Sequence, residues 1–261
     1  MTDYSPRPTV HPRPLHPPFA RIACVVENDA ESLHAAEQTI AVAGTDAHVT
    51  FAAFGPGLAE RVDQALWRAQ DAGLAPERQK PDAASPEEGL ARVTATHDLI
   101  VIGAPTHPRA AGIVLGETAT RLVHRSPIPV LVARERPIVD GVVTATRARP
   151  ADRVALIAGA RIAARVGAEL TVVHVKERDD QTREPELQAE LANTRALLGR
   201  PFDSLRVHGP TARTIVDIAD GDGAGLIVVG SRLRLGLPAL TSVSERVAHD
   251  APCSVLIMRG R

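Results

Sequence analysis

Short apolar runs alternate with helical patterns from residue 21 to the end of the chain. In the first helical segment, for example, Leu33, Ala36, Ile40 and Ala43 recur at the spacing of one helix face. Short runs rich in β-branched residues, separated by helical segments of about 10 to 15 residues, are typical of right-handed βαβ units. The sequence therefore predicts an α/β protein whose parallel sheet is covered by helices on both faces.

The pattern assigns an element to nearly every segment after residue 20. In the first half it predicts strands at 21–26, 48–54, 99–103 and 128–133, and helices at 30–43, 58–72, 86–96 and 114–125. In the second half it predicts strands at 138–145, 169–175, 205–207, 226–230 and 254–258, and helices at 150–166, 186–198, 211–219 and 240–249.

The two halves repeat one another. The segment DLIVIG at 98–103 is echoed by GLIVVG at 225–230, and PIPVLV at 127–132 by PCSVLI at 252–257. The offsets are 127 and 125 residues, which is the size of a whole domain and too long for a solenoid repeat. We therefore expect a disordered proline-rich tail at 1–19, a first domain at 20–134 and a second at 137–261, joined by a short linker.

Composition excludes several classes of function. Thirty basic and 31 acidic residues leave no basic excess for a nucleic-acid backbone, and 2% aromatic residues leave little for base stacking. No signal peptide or membrane-length apolar run is visible, so we expect a cytoplasmic protein without membrane contact. Cys24 and Cys253 lie in apolar strands and are expected to be buried, reduced thiols.

The common catalytic and metal motifs are missing from the sequence. It contains no P-loop, no Gly-x-Gly-x-x-Gly fingerprint, no Gly-x-Ser-x-Gly elbow and no zinc-type spacing of histidine and cysteine. His124 and His249 fall in the last turn of matching predicted helices, where a cation complements the helix dipole. We expect no catalytic residue and no metal site.

The loops after Gly103 and Gly230 are the remaining places for a ligand. Ligands of open parallel sheets bind beyond the carboxyl ends of the strands, and backbone N–H groups at helix starts hold anions. After Gly230, Arg232 and Arg234 could clamp a phosphate, and Ser242 and Ser244 supply hydroxyls. The alternative is structural: each glycine is then a turn residue, and Ser242 caps its helix.

The same residues carry a resemblance. VVGSR at 228–232 and TSVSERVAHDAPCSVLIM at 241–258 resemble the C-terminal signature of the universal stress protein family. The first half matches more weakly at 98–103, 116–121 and 126–132, and AELTVVHV at 168–175 resembles the family's second strand. The resemblance implies two flavodoxin-like or Rossmann-like domains in tandem (adenine nucleotide alpha hydrolase-like), paired through their last strands within the chain, with a homodimer as a further option. It also implies binding of ATP or AMP, as in many members.

Nucleotide-binding members carry Gly-x-x-Gly, nine further residues and then Gly-Ser or Gly-Thr. The first half keeps this spacing at 103, 106 and 116, but Thr106 replaces a glycine and Glu117 replaces the hydroxyl residue. In the second half Ser242 is kept, whereas Leu233 and Thr241 stand where glycines belong, and the loop is two residues shorter. Extra side chains crowd a loop that must let a ligand approach the backbone closely.

The family's acidic residue near the ribose corresponds to Glu27 in the first half and is lost at about Thr146 in the second. Neither half therefore has a complete set. The resemblance places a nucleotide site in the second half at Gly230, Ser231, Arg232, Gly236, Ser242, Val243, Ser244 and Val175. It places a degenerate first-half site at Glu27, Gly103, Thr106, Gly116 and Thr118.

Three functions stay open at this point. The leading hypothesis is a stress-response regulator that binds ATP or AMP through its second half and is not an enzyme. The second is a scaffold of the same fold that has lost nucleotide binding. The third is an ATP-hydrolysing or adenylate-transferring enzyme, which needs a base that the second-half loop does not offer.

Overall fold

Within the residues that the computed structural model describes, the chain forms one ten-stranded sheet with helices on both faces. The described residues are 19–27, 29–54, 57–79, 86–104, 115–176, 184–232 and 242–260. The predicted fold class, a doubly wound and mostly parallel α/β architecture repeated in tandem, is confirmed.

The elements follow the predicted alternation. The first unit comprises β1 (Arg21–Val26), α1 (Glu31–Val42), β2 (His48–Ala53), α2 (Ala59–Asp71), β3 (Glu77–Gln79), α3 (Pro86–Thr96), β4 (Leu99–Gly103), α4 (Glu117–Arg125) and β5 (Val130–Ala133). The second unit comprises β6 (Val142–Ala145), α5 (Pro150–Val166), β7 (Leu170–Lys176), α6 (Glu184–Leu198), β8 (Asp203–His208), α7 (Thr211–Gly221), β9 (Leu226–Arg232), α8 (Val243–Asp250) and β10 (Ser254–Gly260).

Apart from shifts of a few residues at element ends, the observed elements differ from the predicted ones in two places. The three-residue strand β3 was not predicted, because its polar, largely exposed residues give no apolar run. The single strand expected at 138–145 is wrong: Ile138–Asp140 forms a 3-10 turn, and β6 begins only at Val142. Asp140 N–H donates to the Pro137 carbonyl at 3.2 Å and closes this turn, and Gly141 follows it.

The sheet order is β3-β2-β1-β4-β5-β10-β9-β6-β7-β8, so the second unit mirrors the first. Strands are parallel within each unit, and β5 and β10 join the units in antiparallel fashion. Leu131 lies opposite Leu256, and these residues occupy the same position in the repeat, 125 residues apart. A pseudo-twofold axis therefore passes between them, and the last strands pair within one chain, as the resemblance implied.

The core has two aliphatic layers, one on each face of the sheet. Helices α1, α2, α5 and α6 pack on one face. Helices α3, α4, α7 and α8 contribute residues to the layer on the other face. Phe19, the last residue of the expected tail, is buried in the first layer, and residues 1–18 lie outside the described part of the chain. The end of β1 meets the start of α4, and the ends of β6 and β9 meet the start of α8. These equivalent places are called the first and the second crevice.

Candidate functional site

The second unit has a crevice at the carboxyl ends of β6, β7 and β9. It is small and partly open to solvent, with a cavity volume of about 30 Å³. Its walls come from the strand ends, α7 and the start of α8: Ala145, Thr146, Arg147, Asp152, Val173, Val175, Thr211, Ile215, Val229, Gly230 and Val243. Its floor is apolar, and its rim carries the guanidinium of Arg147 and the carboxylate of Asp152.

Three of the eight residues predicted for the second-half site line this crevice, namely Val175, Gly230 and Val243. Ser231 is buried and Arg232 is exposed at the end of β9. Gly236 lies outside the described residues. The structure therefore brings together Gly230 on β9, Val175 on β7 and the start of α8, although β6 lies between the two strands.

Ser242 caps α8. Its hydroxyl accepts from Glu245 N–H at 3.2 Å, and the Glu245 carboxylate accepts from Ser242 N–H at 3.3 Å, which together form a capping box. The Ser244 hydroxyl lies 3.1 Å from that of Ser242. Ser242 therefore makes the contacts expected of a residue that caps its helix.

In the first unit, the predicted residues Glu27 and Thr118 meet across the corresponding crevice. The Thr118 hydroxyl donates to Glu27 Oε1 at 2.7 Å. Ser32 holds the backbone of Glu27, since its hydroxyl accepts from Glu27 N–H at 2.9 Å and lies 3.1 Å from the Glu27 carbonyl. The end of β1 is thus tied to the start of α4.

Gly103 has a packing role. A Cβ atom at this position would lie 2.3 Å from the carbonyl oxygen of Glu31, so the start of α1 packs directly on the backbone of β4. Gly116 precedes α4, where an added Cβ would meet nothing within 4 Å. Thr106 lies outside the described residues.

Strand register corrects one position of the sequence comparison. Ile22 pairs with Leu99 in the first unit, and Val142 pairs with Leu226 in the second. Leu99 and Leu226 begin equivalent strands, so Glu27 corresponds to Arg147 and not to Thr146. The acidic residue of the first crevice is therefore replaced by a cation in the second.

Asp152 lies beside Arg147 and was missed by the sequence analysis. It is buried, and its carboxylate accepts from Arg147 N–H at 3.0 Å. Burial raises the pKa of the Asp152 carboxyl, which hydrogen bonds from the loop partly offset. The signal in the sequence was an acidic residue in the first turn of the helix at 150–166, a position usually explained by the helix dipole.

The loop between β6 and α5 has an unusual backbone. Ala148 has φ +55°, which is uncommon for a residue with a Cβ. Its N–H donates to the Thr146 hydroxyl at 3.0 Å, and that hydroxyl donates to Glu190 Oε2 at 3.1 Å. These contacts hold the rim of the second crevice in one conformation.

His124 contacts the second unit. It lies in the last turn of α4, as predicted, and its Nδ1 is 2.9 Å from Glu245 Oε1 on α8. Both side chains are largely buried. Glu245 therefore links the cap of α8 to the first unit.

Among the described residues, no group of three or more His, Cys, Asp or Glu side chains could hold a metal ion. Cys24 and Cys253 are free and buried, as predicted. No helix in the described part of the chain has the length and apolar character needed to cross a bilayer.

Comparison with known proteins assigns the family. The family model described as "Universal stress protein family" matches residues 18–134 and again 141–259. The chain belongs to the universal stress protein family. It is a tandem member, because each match covers one unit of the sheet.

Known relatives agree with this assignment. A protein of Thermus aquaticus described as a universal stress protein in the QAH/OAS sulfhydrylase 3′ region is 37% identical over 127 residues, which span 42% of this chain and 90% of that protein. The structure of a universal stress protein from Archaeoglobus fulgidus is similar in fold, with a TM-score of 0.70 over 92% of this chain and 98% of that one at 18% identity. A functionally unknown protein from Pseudomonas aeruginosa gives a TM-score of 0.72 over 93% of each chain, also at 18% identity.

Proposed function

We propose that this tandem universal stress protein is a regulator whose second crevice binds an adenine nucleotide, ATP or AMP, and whose first crevice does not. The observation that carries the proposal is the difference between the crevices. In the first, the Thr118 hydroxyl and the Glu27 carboxylate are hydrogen-bonded to each other. In the second, the corresponding positions are Val243 and Arg147, and both line an open crevice.

The lining supports one orientation of the nucleotide. Val173 and Val175 offer an apolar surface to the adenine ring. Gly230 lets the phosphates approach the backbone at the end of β9, close to the exposed Arg232. The nucleotide acts here as a ligand without turnover, and it favours the conformation of the protein that binds it more tightly.

Titration calorimetry of the full chain with AMP and ATP tests the proposal. We expect one nucleotide per chain. Val243→Trp fills the second crevice and should abolish binding, whereas Thr118→Trp, at the matching position of the first unit, should leave it intact. Arg232→Ala should weaken ATP binding more than AMP binding, because AMP carries fewer phosphates. Loss of binding in Thr118→Trp alone would place the site in the first unit instead.

The second candidate function is an interaction scaffold without nucleotide binding. The Ser242 capping box favours it, because the hydroxyl of Ser242 is already engaged by Glu245. On this hypothesis neither nucleotide gives heat while circular dichroism shows a native fold. Mass spectrometry of ligands that co-purify with the protein separates the two candidates independently, and phosphate release from ATP tests for an enzyme.

A further inference from the structure

A groove between α5 and α6 is separate from both crevices. Its cavity volume is about 280 Å³, partly open to solvent, and it shares no lining residue with the second crevice. A volume of this size is close to the lower end of the range of about 300–1,000 Å³ that is usual for small-molecule sites. Leu156 and Ile157 of α5 and Leu197 of α6 give it an apolar surface.

One cation in the groove is already neutralised. Arg153 Nε lies 3.7 Å from Glu190 Oε1, and the other carboxylate oxygen of Glu190 accepts from the Thr146 hydroxyl. The Glu190 side chain is only 3% exposed. This pair therefore closes one end of the groove without presenting a net charge.

Arg161 lies two helical turns further along α5 and also lines the groove. Its Nε is buried, and it has no hydrogen-bond partner among the described residues. A buried donor without an acceptor is costly, and more so when the group carries a charge. An anion in the groove would balance the guanidinium charge of Arg161.

In the first unit an ion pair joins the two equivalent helices. There, Arg68 of α2 forms an ion pair with Glu37 of α1 across the two helices. The cation between α1 and α2 thus has its partner within the protein, whereas Arg161 Nε does not find one in the described residues of the second unit. The two units therefore differ at this face as they do at their crevices.

We propose that the groove binds a small amphipathic anion, with its carboxylate, sulfonate or phosphate head on Arg161 and its apolar body on Leu156, Ile157 and Leu197. The arginine fork suits a planar or tetrahedral oxyanion through two parallel N–H donors. The apolar wall adds affinity by removing the body of the ligand from water. This site does not depend on the nucleotide site.

The test uses the full chain and the fluorescent sulfonate 1-anilinonaphthalene-8-sulfonate, with octanoate and 1-octanol as competitors. We expect the probe to bind saturably, and we expect octanoate to displace it at least tenfold more effectively than 1-octanol does. Arg161→Gln should weaken probe binding about tenfold or more. Arg165→Gln is the matched control: it removes an arginine one turn later, whose Nε donates to the Ala41 carbonyl at 3.4 Å on the α1 side.

A second variant keeps the proposal testable if Arg161→Gln is unstable. Asn193→Trp, at a second position that lines the groove, fills it while Arg161 is kept, and should abolish binding. Unchanged affinity in both variants, equal displacement by octanol, or absence of binding to the natively folded chain would overturn the proposal. Displacement of the probe by AMP would show that the groove and the nucleotide site are not separate. Failure of AMP to bind anywhere would contradict only the proposed nucleotide function.

Discussion

Arg134 and Arg259 each bind the end of a helix in the opposite unit. Arg134 Nη2 donates to the Ala248 carbonyl of α8 at 2.7 Å, and Arg259 Nη2 donates to the Val123 carbonyl of α4 at 2.5 Å. Both the arginines and their acceptors are 125 residues apart, so the contacts are related by the pseudo-twofold axis. Helix C-terminal carbonyls lack partners within the helix and carry the negative end of the dipole, which explains why a cation satisfies them.

The two arginines are unequal in burial. Arg134 is 0% exposed and also donates from Nη1 to the Cys253 carbonyl at 3.0 Å. Burial lowers the pKa of Arg134 to about 10, so it still carries its charge at neutral pH. We expect Arg134→Met to lower the free energy of unfolding by about 2–4 kcal/mol, because it leaves buried carbonyls without donors.

Chemical denaturation of Arg134→Met and Arg259→Met measures this difference. The Arg259 variant should lose less, since Arg259 is less buried. Equal losses, or no loss at Arg134, would contradict the expectation that the more buried arginine contributes more to stability.

Gly103→Ala and Gly116→Ala should differ in their effect on stability, because only Gly103 is tightly packed. An added Cβ at Gly103 meets the Glu31 backbone at 2.3 Å, which no rotamer relieves, whereas Gly116 faces open space with φ −55°. We expect the first change to lower the free energy of unfolding by about 3 kcal/mol. The second should be neutral or stabilise by less than about 1 kcal/mol. A stable Gly103→Ala protein in thermal melts would show that α1 can move away from β4.

Ser242→Ala tests the capping box. Losing the hydroxyl acceptor of Glu245 N–H should lower the free energy of unfolding by about 1 kcal/mol. Ser242→Asp retains an N-cap acceptor and should recover most of it. If Ser242 also holds phosphate, the alanine variant should lose more ATP affinity than its lower stability explains. Titration calorimetry, corrected for the fraction of folded protein, measures this additional loss.

Glu190→Gln should change the pH dependence of stability. Burial raises the pKa of the Glu190 carboxyl above its ordinary 4.5, so the folded state favours the protonated form. The stabilisation is fully present below 4.5 and is lost as pH rises through the folded pKa. The glutamine cannot ionise, so its stability relative to the parent should increase between pH 4.5 and 7.

Urea denaturation of both proteins across that range checks this expectation. The pKa of Asp152 is also raised, and this residue remains in the variant, so the variant's stability should still fall with pH but less steeply than the parent's. A relative stability that falls with pH would mean that the Arg153 pair outweighs the burial of the carboxylate.

The two thiols should not react in the folded protein. Burial raises the pKa of Cys24 to about 12 and that of Cys253 to about 11, so neither forms thiolate at neutral pH. We expect no reaction with Ellman's reagent until denaturant is added, when two thiols per chain should titrate. Reaction of one thiol under native conditions would indicate local opening of its strand.

The candidate site was predicted only in part. The carboxyl ends of parallel strands are recognisable from an apolar run that ends in glycine, so Gly230 and Val175 could be placed at the second crevice. Asp152 could not, because an acidic residue in a first helical turn has an ordinary explanation in the helix dipole. The correspondence of Glu27 with Arg147 could be found only from the strand register, because the number of residues that separates equivalent positions changes along the repeat.

By itself, the sequence determined the alternation of strands and helices, the duplication and the family, because these depend on local periodicity and on short motifs that survive in both halves. Only the tertiary structure decided that Arg134 is buried against α8, that Thr118 bridges to Glu27, and that Ser242 caps a helix. These contacts join residues far apart in the chain or select one of several partners for a side chain. Burial and distance settle such choices, and neither is encoded in the order of apolar and polar positions.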